Sequence, residues 1–178
     1  AGATGVQVGT AFALCDESGM APALKKSVLR QVFDEAAQVF TSPNASPTGF
    51  PFKVVSVPGT MSDPEVYAAR NRICDLGFLR VIVKNEDGAL NYRCPAEPVD
   101  DYVRKGGKIE DTAGRACLCN NLLATAGFGQ HRKDGAVEQP LVTSGDDLAA
   151  VGQLVPAGKT SYAAADVIGF LLGPPGLH

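Results

Sequence analysis

Only one segment of this chain has the composition of a strand covered on both faces. Residues Gly5–Leu14, Gly-Val-Gln-Val-Gly-Thr-Ala-Phe-Ala-Leu, place Val6, Val8 and Phe12 among small residues, with no charge between them. Such a run predicts a buried strand that stops at a Gly9-Thr10 turn. A buried strand must have its backbone groups paired and its faces covered. Elsewhere the chain offers mainly helical periodicity, so this segment must find a partner, pair with a copy of itself, or leave an edge exposed.

The strongest helical pattern runs from Ala23 to about Phe40, with Leu24, Val28, Leu29, Val32, Phe33, Ala36, Ala37 and Phe40 at three-to-four spacing. Pro22 sits where the first turn of a helix tolerates it. Thr41–Pro51, with three prolines, one glycine and four Ser or Thr residues, predicts a loop. Phe52–Val57 follows as a short strand. Ser62-Asp63-Pro64-Glu65 supplies cap, proline and first-turn acid for a helix to about Leu76, stopped by Gly77.

Leu79–Lys84 and Ala89–Arg93 flank Asn85-Glu86-Asp87-Gly88 and predict a hairpin. Glu97–Lys105 predicts a short helix ended by Gly106-Gly107. Ala116–Ala126 predicts a helix of small residues stopped by Gly127. His131–Val142 holds a second turn at Lys133-Asp134-Gly135. Asp146–Leu154 and Tyr162–Leu172 close the chain as helices, the last capped by Ser161 or Thr160 and ended by Gly173-Pro174-Pro175. The domain division that follows is 1–40, then a middle region 41–156 with two hairpins, then a closing helix in 157–178.

Composition narrows the function classes. At 178 residues, folding would bury roughly 70% of the unfolded surface, enough for a real core. Sixteen basic side chains are scattered against nineteen acidic ones, with short groups only at Lys25–Lys26, Arg70/Arg72 and Arg104–Lys105. No basic stripe suits a nucleic-acid backbone, and Trp is absent, so no nucleic-acid partner is expected. No apolar run is long enough to span a bilayer, so no membrane partner is expected either. The five cysteines, Cys15, Cys74, Cys94, Cys117 and Cys119, are odd in number and predict free thiols in a reducing cytoplasm. A metal site built from Cys94, Cys117 and Cys119, with Cys74, is the sharper alternative. The single residue between Cys117 and Cys119 is tighter than common zinc knuckles.

Other candidates carry less chemistry. His131 lies in a polar hairpin and His178 at the end, and no Ser–His–Asp arrangement can be assembled around them. The pairs Asp16-Glu17, Asp100-Asp101 and Asp146-Asp147 stand near helix starts, where they complement the helix dipole. Asn120-Asn121 either line a pocket or satisfy nearby backbone. Gly9-Thr10 is a candidate phosphate site, with glycine permitting close approach and Thr10 adding a hydroxyl.

These residues carry a resemblance. Gly5-Val6-Gln7-Val8-Gly9-Thr10-Ala11-Phe12, followed by Glu17-Ser18-Gly19-Met20-Ala21-Pro22-Ala23-Leu24-Lys25, resembles the end of the barrel in the nitronate monooxygenase family, formerly called 2-nitropropane dioxygenases. Related FMN-dependent enoyl reductases have a similar strand and helix start. Tyr92-Arg93-Cys94-Pro95-Ala96-Glu97-Pro98, Gly114–Leu123 and Ser161-Tyr162-Ala163-Ala164-Ala165-Asp166-Val167 are similar to the carboxyl-terminal part of one branch of that family.

The resemblance implies an α/β fold. The chain would be the C-terminal part of an FMN-binding TIM-type barrel, its last strand and helix, with a mainly helical α+β substrate-side domain. Residues 1–40 would hold that last strand and the following helix. Gln7, Gly9 and Thr10 would face the FMN phosphate, and the reaction would be oxidation of an alkyl nitronate with oxygen. FMN supplies such redox chemistry, and the protein supplies position and electrostatics. A complete barrel takes about 250 residues, so an upstream barrel segment holding the other strands and the catalytic histidine is an expected partner. Ala1 then reads as a cut placed just before the last strand. No catalytic residue is assigned to this chain, and no metal. The alternatives are an FMN-dependent enoyl or polyketide-type reductase and a noncatalytic module with a metal on its cysteines.

Overall fold

Pro22 starts the first long helix as its sequence predicts, but the helix stops well before Phe40. In the structure, a computed structural model that describes residues 4, 5, 7–84 and 87–173, helix α2 spans Pro22–Phe33. Glu35 adopts the left-handed conformation (φ 53°). Ala36 N–H reaches back to Gln31 O at 2.8 Å, and Glu35 N–H to Val32 O at 3.2 Å. That wrapped end usually uses glycine, so nothing in the composition signals it. Val39 and Phe40, which continue the apolar periodicity, instead open strand β1, Val39–Ser42.

The chain divides into two compact units, Ala1–Val39 with Ser144–His178 and Phe40–Thr143. Residues 144–156, grouped by sequence with the middle region, therefore lie with the terminal segments. The cause is apolar burial: Leu148, Val151 and Leu154, on or beside the 3-10 helix Ala149–Leu154, are buried.

In the first unit the strand expected over Val6–Phe12 is not formed. Gln7–Gly9 have no regular structure, Thr10–Ala13 is a single helical turn (α1), and Val6 lies outside the described residues. Neither of the two sheets includes this segment. Without a ladder partner, a helical turn satisfies the backbone locally. Ala13 N–H donates to Gly9 O at 2.9 Å and Leu14 N–H to Thr10 O at 3.2 Å. Leu14, Val28, Leu29, Val151, Tyr162 and Val167 are buried in this unit.

Its last helix in the described chain, α6, spans Ala164–Leu172 and ends at Gly173 (φ 71°). Neither Ser161 nor Thr160 caps it. Ala163 is the capping residue, and its N–H donates to the Asp166 carboxylate at 2.7 Å. Ser161 is occupied elsewhere, donating to Asp16 Oδ2 at 3.2 Å.

The second unit holds both two-stranded sheets, one pairing β1 with β2 (Phe52–Val55), the other pairing β3 (Val81–Lys84) with β4 (Leu90–Arg93). The second sheet is the expected antiparallel hairpin, with Val81 opposite Arg93 and Lys84 opposite Leu90. Its turn residues Asn85 and Glu86 lie outside the described residues. Val54 also bridges Thr143, and Val55 N–H donates to Val142 O at 2.9 Å. Ala45, Val54, Met61, Ala116, Leu118 and Leu141 form the core here.

Helix α3 spans Pro64–Ala69 and carries the expected cap, Asp63 Oδ1 accepting Glu65 N–H at 3.0 Å. It does not continue to Leu76. Arg70 turns to extended geometry and Arg70 and Arg72 both leave the helical path for buried partners. Helix α4 (Val99–Arg104) follows, then a 3-10 turn at Ile109–Thr112 and helix α5 (Leu118–Thr125). A Cβ at Gly107 would run into the ring of Tyr102, so the backbone approach that buries Tyr102 requires glycine there. Among the described residues, no helix is long and apolar enough to cross a membrane.

Candidate functional site

Gln7 and Gly9 are exposed, and a Cβ at Gly9 would meet nothing within 4 Å. Thr10 Oγ1 accepts the Gly145 N–H at 2.6 Å. That bond uses a lone pair and leaves the Thr10 proton able to donate. Two exposed residues and one free hydroxyl proton are compatible with an anionic phosphate group, the role the resemblance implies for these three positions.

Directly after α1 the chain turns around Lys25. Its ammonium donates to Cys15 O at 2.9 Å, Asp16 O at 2.8 Å and Ser18 O at 3.2 Å. All three protons are used, so a buried cation is satisfied entirely by backbone carbonyls. Ser18 Oγ donates to Ala13 O at 2.6 Å and ties the turn to α1. Glu17 accepts the Ala164 N–H at 2.8 Å, and this bond holds its carboxyl below the ordinary carboxylate range. Tyr162 O–H donates to Ala11 O at 2.6 Å. Burial pushes the Tyr162 phenol well up, so it stays a neutral donor.

In the second unit, sequence reasoning left Asn120-Asn121 open and missed the ionic network that surrounds them. Glu138, with its side chain 2% exposed, accepts from Arg70 Nε at 2.6 Å and Arg132 Nη2 at 2.7 Å. Asn121 Nδ2 donates to the same carboxylate at 2.9 Å. Arg132 Nη1 reaches on to Asp75 Oδ1 at 2.7 Å, and Asn120 Nδ2 donates to Asp75 Oδ2 at 2.7 Å. Both asparagines are fully buried. Their Nδ2 groups clamp the 73–75 loop and the 138–139 segment onto α5, while both Oδ1 atoms are buried without a hydrogen-bond partner. A cavity of about 340 Å³ opens beside the network, lined in part by Arg70, Asn71, Arg132, Glu138 and Gln139. Only the pair Arg70/Arg72 stood out in the sequence, as one of three short basic groups. Nothing in the spacing announces Glu138 as their partner.

The Arg132 hydrogen bond holds the Asp75 carboxyl below the usual Asp range. A lowered carboxylate stabilises the fold above its unfolded pKa and loses that contribution as the pH falls through the folded value. Stability is therefore expected to drop on acidification from about pH 5 to pH 2. Asp75→Asn should flatten that slope in urea unfolding followed across the same range. A variant as acid-sensitive as the parent chain would exclude Asp75 as a contributor.

The five cysteines are free thiols. Cys94, Cys117 and Cys119 pack together around Ala96, as the metal alternative required. Among the described residues, however, no three His, Cys, Asp or Glu side chains are placed to hold a metal ion. Cys74 is half-buried. The Cys117 thiol and the Arg80 guanidinium hold the Cys74 thiol down to about 6, while Cys74 and burial push the Cys117 thiol far up. Glu97 lies buried at the edge of this cluster, accepting from Cys94 N–H at 3.2 Å and Lys105 Nζ at 2.7 Å.

His131 is exposed and paired through its backbone with Val137, and His178 lies outside the described residues. Of the carboxylate pairs, Asp16 accepts from Ser161 ahead of α6 and Glu17 from the first N–H of α6, Asp101 pairs with Arg104, and Asp147 accepts Ala150 N–H at 3.2 Å.

No family model matches the chain, and no curated protein or solved structure matches it.

Proposed function

We propose that the chain carries the last-strand and substrate-side portion of an FMN-dependent oxidoreductase similar to the nitronate monooxygenases, which oxidises alkyl nitronates with oxygen in the cytoplasm. The observation that carries this reading is how the resembling stretches associate. Ala11–Lys25 binds Ser161–Val167 through Tyr162, Ser161 and Ala164, across more than 140 residues of sequence. In the second unit, Tyr92–Pro98 meets Gly114–Leu123 at Cys94 and Cys117. The motifs are thus joined pairwise, which accidental likeness would not require.

In this reading Gln7, Gly9 and Thr10 donate to the FMN phosphate, and FMN supplies the redox chemistry when bound. The upstream barrel segment would give Gln7–Thr10 the ladder neighbours it lacks here. Titration of the chain with FMN, followed by flavin fluorescence, should then show weak binding, with no nitronate-dependent oxygen uptake. The full-length parent should retain flavin and consume oxygen with alkyl nitronate. A parent that never holds flavin would overturn the family reading. Turnover of an enoyl thioester with NAD(P)H, and none of nitronate, would move it to the reductases.

A further inference from the structure

We propose that the cavity beside the Glu138 network binds a small aliphatic carboxylate, its charged end on Arg70 and its tail along Val66, Ala69 and Val137. The proposal stands on the second unit alone and does not rest on the flavin reading. At about 340 Å³ the cavity is at the small end of ligand pockets, which run from about 300 to 1,000 Å³. Gly59, Ala69, Asn71, Ala136 and Val137 line it and are exposed, whereas the Arg70, Arg132 and Glu138 side chains are only 6%, 13% and 2% exposed. A solute therefore enters past small and apolar residues and meets charge deeper in.

Hydrogen bonding in the wall selects an acceptor. Glu138, the one carboxylate among the described lining residues, is already spent on Arg70 Nε at 2.6 Å, Arg132 Nη2 at 2.7 Å and Asn121 Nδ2 at 2.9 Å. Arg132 Nη1 is taken by Asp75 Oδ1 at 2.7 Å, and Asp75 does not line the cavity. Arg70 Nη2 differs from both. Among the described lining residues it is the one buried polar side-chain atom without a partner. Asn120, Asn121 and Gln130, which hold the other unpartnered atoms of this unit, lie outside the lining. Two guanidinium groups against one carboxylate also leave the lining net positive. A buried N–H without an acceptor costs free energy that an anionic oxygen recovers, and a charge-assisted bond is the stronger kind.

The rest of the wall selects the tail. Val66, Ala69, Ala136 and Val137 offer aliphatic carbon, and the described lining holds no aromatic ring to stack on and no third cation. A monoanion with a short alkyl chain matches this wall. Its carboxylate meets the free donor of Arg70 and the surplus positive charge, and each methylene gains by leaving water. A dianion such as phosphate brings one charge too many beside Glu138 and leaves the aliphatic side chains uncovered.

The test is titration of the isotope-labelled full chain with hexanoate, followed by NMR. Hexanoate should shift the amide signals of Ala69, Asn71, Val137 and Gln139, and the Arg70 Nε–H signal, to saturation. Hexanamide has the same length and no charge, and should bind about tenfold more weakly or worse, a difference of about 1.4 kcal/mol. Acetate, which leaves the aliphatic wall uncovered, should also bind about tenfold more weakly or worse. Ala69→Phe, at the exposed end of α3, fills the cavity and should abolish the hexanoate shifts while leaving the circular dichroism spectrum unchanged. The ligand series on the parent chain decides the matter even if that variant misfolds. No saturable shift with hexanoate, equal binding of hexanamide or of inorganic phosphate, or undiminished binding by folded Ala69→Phe would overturn the proposal and leave the cavity to ordered water.

Discussion

Glu138→Ala is expected to cost about 3–5 kcal/mol of folding stability, the range for removing one partner of a buried ion pair. Glu138 is the hub of the second unit's polar interior, accepting from Arg70, Arg132 and Asn121. The Arg70 side chain is 6% exposed, and its Nη2 already has no partner. Alanine leaves that guanidinium buried with no anion beside it, and solvent cannot repair the loss without opening the 138–139 segment. Urea unfolding should show the midpoint fall. Glu138→Gln keeps acceptor geometry without the charge and should fall between alanine and the parent. The double replacement Arg70→Met with Glu138→Leu should recover much of the loss, because both charges then leave the interior together. A double variant as unstable as Glu138→Ala alone would show that packing, not charge, sets the cost.

The second large effect is at Lys25. Replacement by methionine keeps the apolar stem and removes only the ammonium. Three carbonyls, those of Cys15, Asp16 and Ser18, then lose their donor at once. Hydrogen bonds to charged groups contribute about 1.5–3 kcal/mol each, but solvent can reach Ser18 and part of the turn, so the expected loss is about 3 kcal/mol. Lys25→Arg places a planar fork where a compact tripod of donors fits, and should be nearly as damaging. An unchanged urea midpoint in Lys25→Met would mean the turn holds its shape without the ammonium. Glu17 and Ser18 lie in the same turn, so circular dichroism of α6 should report the same disturbance through the Ala164 bond.

Much of the secondary structure was legible because its signals are local. Asp63-Pro64-Glu65 announces α3, Pro22 announces α2, and the β3–β4 hairpin follows from the turn residues between two apolar runs. The ends were less legible, for three different reasons. Glu35 closes α2 in a conformation that glycine usually signals. Arg70 ends α3 because a carboxylate 68 residues away outcompetes one more helical turn. Thr10–Ala13 coils because the segment has no strand beside it, which is a property of its surroundings and not of its residues. The candidate sites divide in the same way. Cys94, Cys117 and Cys119 were readable as a group from spacing, whereas the Glu138 hub depends on Arg70, Asn121 and Arg132, which only the folded chain brings to it.

The first unit is assembled from both ends of the described chain, and that has a consequence for synthesis. Thr10 waits for Gly145, 135 residues on, and Ala11 waits for Tyr162, 151 residues on. At ribosomal speed that delay is on the order of ten seconds or more. Throughout it, Leu14, Val28, Leu29 and Val32 have been made but lack the Leu148, Val151 and Leu154 side chains of their own unit. Phe40–Thr143, by contrast, is continuous and can close as soon as it has emerged. Helix α2 thus keeps its apolar face uncovered while Phe40–Thr143 folds, and that face closes only once the second half of its own unit has been made.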